Sequence, residues 1–222
     1  MRAVDLRELR PRLWYWTARH PDWAPDQGGE DGWEPDVGWE PDVGCYAYVA
    51  PDGGTVVLVD PLVPAGDEDA FWRALDGLVE HHGPPNVLIT VFFHARSAQE
   101  ILDRYARARV CAYAPAREEL SKWTRVTDVY ELGDPLPAGI EAHSTGGDEH
   151  EVAYRLPEYD ALVVGDAMIA APGAAPRVWP QDESVRTALR ALRKRPLELL
   201  LLTHGAPVLA DGGGALARAL DG

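Results

Sequence analysis

A chain of 222 residues can close one domain around a sizeable core, and 46% hydrophobic with 26% charged residues is ordinary for a globular protein. Lys and Arg number 21 against 36 Asp and Glu, and the resulting net charge of −15 repels phosphate backbones, which argues against nucleic acid as a partner. Cys45 and Cys111 are too few for a disulfide framework or a thiolate metal cage. Residues 1–20 hold no apolar signal-peptide core, and the longest aliphatic run, residues 199–202, is far too short to span a bilayer, so no membrane partner and a cytoplasmic location are expected.

In chain order, LWYWT at 13–17 predicts an early strand. Residues 21–44 are rich in Gly, Pro, Asp and Trp and contain a direct repeat, WEPDVG at 33–38 and again at 39–44. Two such short copies make no solenoid. They read as a duplicated surface loop, or alternatively as a mobile lid whose tryptophans cover a cleft. Residues 45–49 and 55–59 predict a hairpin around the turn signal PDGG at 51–54. Helical spacing of Phe71, Leu75, Leu78 and Val79 predicts a helix over 67–82, stopped by Gly83-Pro84-Pro85.

An apolar strand is predicted over 87–93, then a helix over 97–108 opening on the capping box Ser97-Ala98-Gln99-Glu100. Residues 109–114 predict a strand and Pro115 opens a short helix through Trp123. The second half shows short strands at 126–132 and 140–143, a hairpin of 151–156 and 161–164, a helix over 181–195 and a buried strand over 197–203. Gly-rich residues 211–214 read as a terminal turn. Hairpins followed by helix–strand alternation in each half predict an α+β fold, two mixed sheets face to face with helices outside, over a single domain 1–222.

Three residues able to ligate a metal each follow a predicted buried strand: His94 after VLITVFF, Asp166 after ALVVG, and His204 after LELLLLT. Each alone fits a structural role. Together they are a mixed nitrogen and oxygen set that Zn or Fe accepts. His81-His82 in a last helical turn fit the helix dipole better than a metal, no Gly-x-Ser-x-Gly elbow occurs, and capping accounts for Ser97 more simply than nucleophilic catalysis.

The order of these elements resembles the metallo-β-lactamase-fold metallohydrolases across residues 13–208. VVLVD at 56–60 is similar to the family's strand ending in an Asp that supports a ligating His, which points to Asp60. ALVVGDA at 161–167 and LLLTHG at 200–205 are similar to its bridging-Asp and terminal-His segments, which point to Asp166 and His204. The resemblance implies an αββα sandwich. The chain departs from the family where His-x-His-x-Asp-His is expected and reads Phe92-Phe93-His94-Ala95-Arg96-Ser97. With His94 as the second His, Phe92, Arg96 and Ser97 replace three ligands. Asp148 stands where a further His is expected, with His143 and His150 nearby as substitutes.

A permanently charged Arg96 at a ligand position repels a dication and is expected to face the site and pair with Asp166 or Asp148. At most one Zn or Fe ion is expected, the balance tilting slightly toward none. The functional expectation is a hydrolase-like protein acting on a small ester, thioester or lactone through one metal. The rival is a metal-free member of the fold that binds a small ligand or a protein. A nuclease is a weaker third reading, opposed by the charge.

Overall fold

The computed structural model describes residues 6–21, 23, 41–180 and 182–222. The first sheet runs β1 (Arg7–Arg10), β2 (Leu13–Arg19), β3 (Asp42–Val49), β4 (Val56–Val59), β5 (Pro85–Leu88), β6 (Arg109–Tyr113) and β7 (Asp128–Tyr130) in spatial order. Its first four strands are antiparallel neighbours, and β4 to β7 are parallel. Parallel pairing needs crossovers, supplied by α1 (Glu68–His82), α2 (Ala98–Arg104) and α3 (Arg117–Leu120). The second sheet holds β8 (Glu141–Ser144), β9 (Val152–Leu156) and β10 (Ala161–Ile169) as antiparallel neighbours. Strand β12 (Leu199–His204) lies parallel to β10, and the short β11 (Arg177–Val178) pairs with the end of β10. Two further helices, α4 (Glu183–Leu192) and α5 (Gly212–Asp221), complete the fold.

Strand alternation sorts the side chains into three apolar layers. On β3, Cys45 and Ala47 pack toward Phe71 and Leu75 of α1 and Ile101 of α2. The intervening Tyr46 and Tyr48 face the other way and meet Tyr154, Val163 and Leu201 between the sheets. On the far side, Leu162, Val164, Leu200 and Leu202 pack against Leu189 of α4 and Leu216 of α5. The result is the expected αββα sandwich. No helix among the described residues is long and apolar enough to cross a membrane.

Several elements differ from the sequence reading. The apolar run after Pro85 leaves the sheet at Leu88 rather than continuing to Phe93, because the Thr90 amide donates to the Asp60 carboxylate (2.8 Å) instead of a neighbouring strand. Residues 92–95 then form tight 3₁₀ turns kinked at His94. Ser97 does not cap α2: its hydroxyl donates to Glu100 (2.9 Å) and accepts the Val63 amide (3.0 Å), tying the helix start to the loop after β4. Residues 212–214 begin a buried helix, with Asp211 accepting the Gly214 amide (3.1 Å), rather than a terminal turn. A Cβ at Gly212 would stand 2.9 Å from the Leu199 carbonyl carbon, so this glycine permits α5 to dock beside β12. The end of the second WEPDVG copy is strand, since β3 starts at Asp42. Residues 24–40, with the first copy and the lid expectation, lie outside the described residues.

Candidate metal centre

Two strand ends, one tight turn and one strand interior deliver the polar side chains: Asp60 follows β4, His204 closes β12, His94 sits in the turn 92–95 and Asp166 lies within β10. β4 stops at Val59 and the chain turns at Asp60, which has a positive φ of 47° and is fully buried. Its carboxylate accepts the Thr90 amide at Oδ1 (2.8 Å), and at Oδ2 both the Thr90 hydroxyl (2.5 Å) and the His94 Nδ1–H (2.9 Å). A carboxylate only accepts, so this contact places the proton of a neutral His94 on Nδ1 and leaves Nε2 as a lone pair.

That nitrogen faces two other ligand atoms. His94 Nε2 lies 3.3 Å from Asp166 Oδ1 and 3.1 Å from His204 Nε2, and His204 Nε2 lies 3.0 Å from Asp166 Oδ1. No donor is aligned on the buried Asp166 Oδ1. Both imidazoles are nearly inaccessible, while the Asp166 side chain remains 24% exposed, so the triangle has one open side. Three potential ligand atoms converging in this way suit a cation. Ligand bonds of about 2.0–2.1 Å around tetrahedral zinc put neighbouring ligand atoms roughly 3.3 Å apart, close to all three observed separations.

The protonation equilibria express the same pull. Burial pushes Asp166 up, but the two imidazoles outweigh it and hold the carboxyl well below the usual carboxylate range. Burial and the Arg96 charge push the His94 imidazole down, yet Asp166 and Asp60 prevail and its affinity for a proton is raised. At His204 burial wins over Asp166 and the shift is downward.

Asp60, His94, Asp166 and His204 are thus brought together. Asp148 is not: its Oδ1 accepts the His150 amide (2.7 Å) and lies 2.8 Å from His150 Nδ1, and it is no member of the ligand triangle. His150 instead sets its ring edge-on to Phe92 at 5.6 Å, and His143 pairs with Glu141 (3.3 Å). Phe92 therefore fills with an aromatic ring the sequence position where the first ligand of the resembled motif was expected.

The expected pairing of Arg96 with Asp166 or Asp148 is overturned. Nη1 donates to the Asp60 main-chain carbonyl (3.0 Å), and no ion pair of Arg96 occurs among the described residues. Arg96 has an unusual backbone (φ 41°, ψ −115°), and its guanidinium is close enough to Cys45 to favour that thiolate. Its charge still lowers the proton affinity of both His94 and His204.

Two residues were missed by sequence reasoning. Thr90 hydrogen-bonds Asp60 and has its hydroxyl 3.1 Å from His94 Nδ1. Glu151 is only 4% exposed, and burial followed by the Asp166 charge pushes its carboxyl up to about 7. The available signal was slight: one hydroxyl inside VLITVFF, and one acid opening the otherwise apolar EVAY.

No protein-family model matches the chain, and no curated protein matches it significantly. Solved structures do match. The metallo-β-lactamase from Pontibacter korlensis aligns over 98% of this chain and 99% of its own at 13% identity and a TM-score of 0.67. FIM-1 from Pseudomonas aeruginosa, in its mono-zinc form, aligns over 99% and 95% at 12% identity and a TM-score of 0.68. The metal-soaked Flv1 flavodiiron core from Synechocystis sp. PCC6803 aligns over 99% of this chain but 60% of its own, at 14% identity and a TM-score of 0.69. At such identities the likeness is one of fold.

Proposed function

We propose that this chain, which has the metallo-β-lactamase fold, is a mononuclear metal-dependent hydrolase of small ester, thioester or lactone substrates. The observation that carries the reading is the triangle of His94 Nε2, His204 Nε2 and Asp166 Oδ1, with sides of 3.0 to 3.3 Å and no aligned donor on the carboxylate oxygen. Two imidazoles and a carboxylate, open on one side, are the donor set of a catalytic rather than a structural zinc site. A bound ion supplies Lewis acidity toward a carbonyl and acidifies a water for attack on it.

The protein's own contribution is orientation. Asp60 selects the His94 tautomer and fixes the plane of its ring. Thr90 fixes Asp60, and the partly exposed Asp166 presents its carboxylate to the open side. Phe93, exposed beside the His94 ring at 5.3 Å, offers an apolar surface to the non-reacting part of a substrate. Only one ion is supported, because Phe92 and Ser97 offer no ligand and Arg96 adds positive charge near both histidines.

Elemental analysis after dialysis against Zn(II) or Fe(II) tests the reading, followed by a panel of ester, thioester and lactone substrates. About one equivalent per chain, lost in His94→Ala and His204→Ala together with turnover, is the expected result. Two well-occupied ions would show that further ligands complete the site. A protein that binds no metal overturns the hydrolase and leaves ligand binding without metal, the role the Arg96 charge would then favour.

A further inference from the structure

Asp166 lies where the pairing of its strand with β12 changes register. β10 pairs with β12 in parallel register from Ala161–Leu199 to Val164–Leu202, and the register then shifts so that Ile169 is opposite His204. Gly165 to Met168 on β10 therefore lie opposite Thr203 alone on β12. Such a bulge redirects a side chain and frees backbone groups from the ladder, and those groups need new partners if they are buried.

Glu151 supplies the partner. Its Oε1 accepts the Ala167 amide inside the bulge (2.8 Å), and its Oε2 accepts the Thr145 hydroxyl from the loop between β8 and β9 (2.8 Å). Both Glu151 and Thr145 are buried. The space for this contact exists because residue 165 is glycine: a Cβ there would stand 2.6 Å from the Thr90 hydroxyl and 3.0 Å from Glu151 Oε1. No ion pair joins Glu151 to a cation among the described residues. A second buried carboxyl beside Asp166 is costly, and its two hydrogen bonds are what it does there.

We infer that Glu151 is a positioning residue, a clamp that holds the β10 bulge open and so aims Asp166 at His94 and His204. The inference rests on the metal-site reading only for its consequence; the clamp itself is a property of the metal-free protein. Geometry rather than charge is its function. A glutamine at 151 can still accept from Ala167 through its carbonyl and donate to the Thr145 hydroxyl through its amide. An alanine can do neither.

The test compares Glu151→Gln, Glu151→Ala and Thr145→Val with the parent protein in two measurements. The first is amide hydrogen exchange across residues 165–168 without metal. Glu151→Ala is expected to speed exchange at Ala167 on the order of tenfold, as loss of a buried hydrogen bond implies, with Glu151→Gln close to the parent and Thr145→Val between them. The second is Co(II) titration followed by its visible ligand-field bands. Glu151→Ala is expected to bind about 10- to 100-fold more weakly with altered bands, and Glu151→Gln to restore both. Unchanged exchange in Glu151→Ala overturns the clamp, and so does a glutamine variant as impaired as the alanine one. Should Glu151→Ala fail to fold, Thr145→Val, which removes one of the two bonds, carries the exchange test. A parent protein that takes up no Co(II) refutes the hydrolase reading, while the exchange result still decides the clamp.

Discussion

The Asp60 carboxylate accepts the Nδ1–H of His94 at 2.9 Å, and in the neutral ring this contact leaves the lone pair on Nε2, 3.3 Å from Asp166 Oδ1. Asp60 is fully buried and also holds the amide and hydroxyl of Thr90, so three donors depend on it. Replacing Asp60 with Ala removes the shared acceptor and leaves only the contact of the Thr90 hydroxyl with His94 Nδ1 (3.1 Å). Urea unfolding should show a loss of roughly 3–5 kcal/mol, since each buried donor that loses its acceptor costs about 1–3 kcal/mol. A loss under about 1 kcal/mol would mean that the anchor carries little energy.

Arg96 sets the electrostatic background of the site without touching its carboxylates. Its charge opposes protonation of both His94 and His204, and it opposes a dication in the same way. Arg96→Met should therefore bind Zn(II) on the order of tenfold more tightly while staying at one equivalent, since no ligand is gained. Isothermal titration reads both quantities. Weaker binding would show that the bond from Arg96 to the Asp60 carbonyl outweighs the repulsion.

Both cysteines should be chemically silent in the native protein. Burial pushes Cys45 up to about 12, despite the nearby Arg96 charge, and Cys111 up to about 11. A thiol attacks as thiolate, so neither populates its reactive form near neutral pH. Mass spectrometry after iodoacetamide treatment at pH 8 should find no modification until denaturant is added. Rapid native labelling of Cys45 would indicate that the layer between β3 and α1 opens readily.

The two sheets meet tightly around the Leu202 carbonyl. Tyr46 donates its hydroxyl to this oxygen at 2.6 Å, and a Cβ at Gly44 would stand 2.7 Å from the same atom. Tyr46→Phe should cost about 1–3 kcal/mol by leaving a buried carbonyl without its donor. Gly44→Ala should cost about 1–3 kcal/mol by overpacking the interface. Thermal unfolding of each variant checks these values. An alanine variant as stable as the parent would show that β12 can retreat, and that the position of His204 at its end is less rigid than the packing suggests.

Much of this architecture was legible along the chain. The apolar, β-prone runs at 45–49, 55–59 and 161–164, bounded by turn signals, encode strands, and the helical spacing of Phe71 and Leu75 encodes a helix with one buried stripe. His94, Asp166 and His204 were visible as polar residues following apolar strands. These signals are local, because side-chain periodicity and turn chemistry depend on neighbours a few residues away. The run 87–93 misled for the same reason: its composition reads as strand throughout, while Asp60, thirty residues earlier, captures the Thr90 amide and ends the ladder.

Which polar groups meet is a different kind of question. Sequence by itself determined which segments are apolar, hence the layers, whereas the structure puts Asp166 inside β10 and His94 in a turn beyond β5 rather than each just past a strand. Tertiary structure alone decided that Arg96 bonds to a main-chain carbonyl and that Asp148 turns to His150, and it alone placed Glu151 beneath the β10 bulge. The physical reason is range. Apolar burial is non-directional and needs only the correct face, whereas a hydrogen bond or metal ligand needs two atoms from distant segments placed to a fraction of an ångström, which only the closed packing supplies.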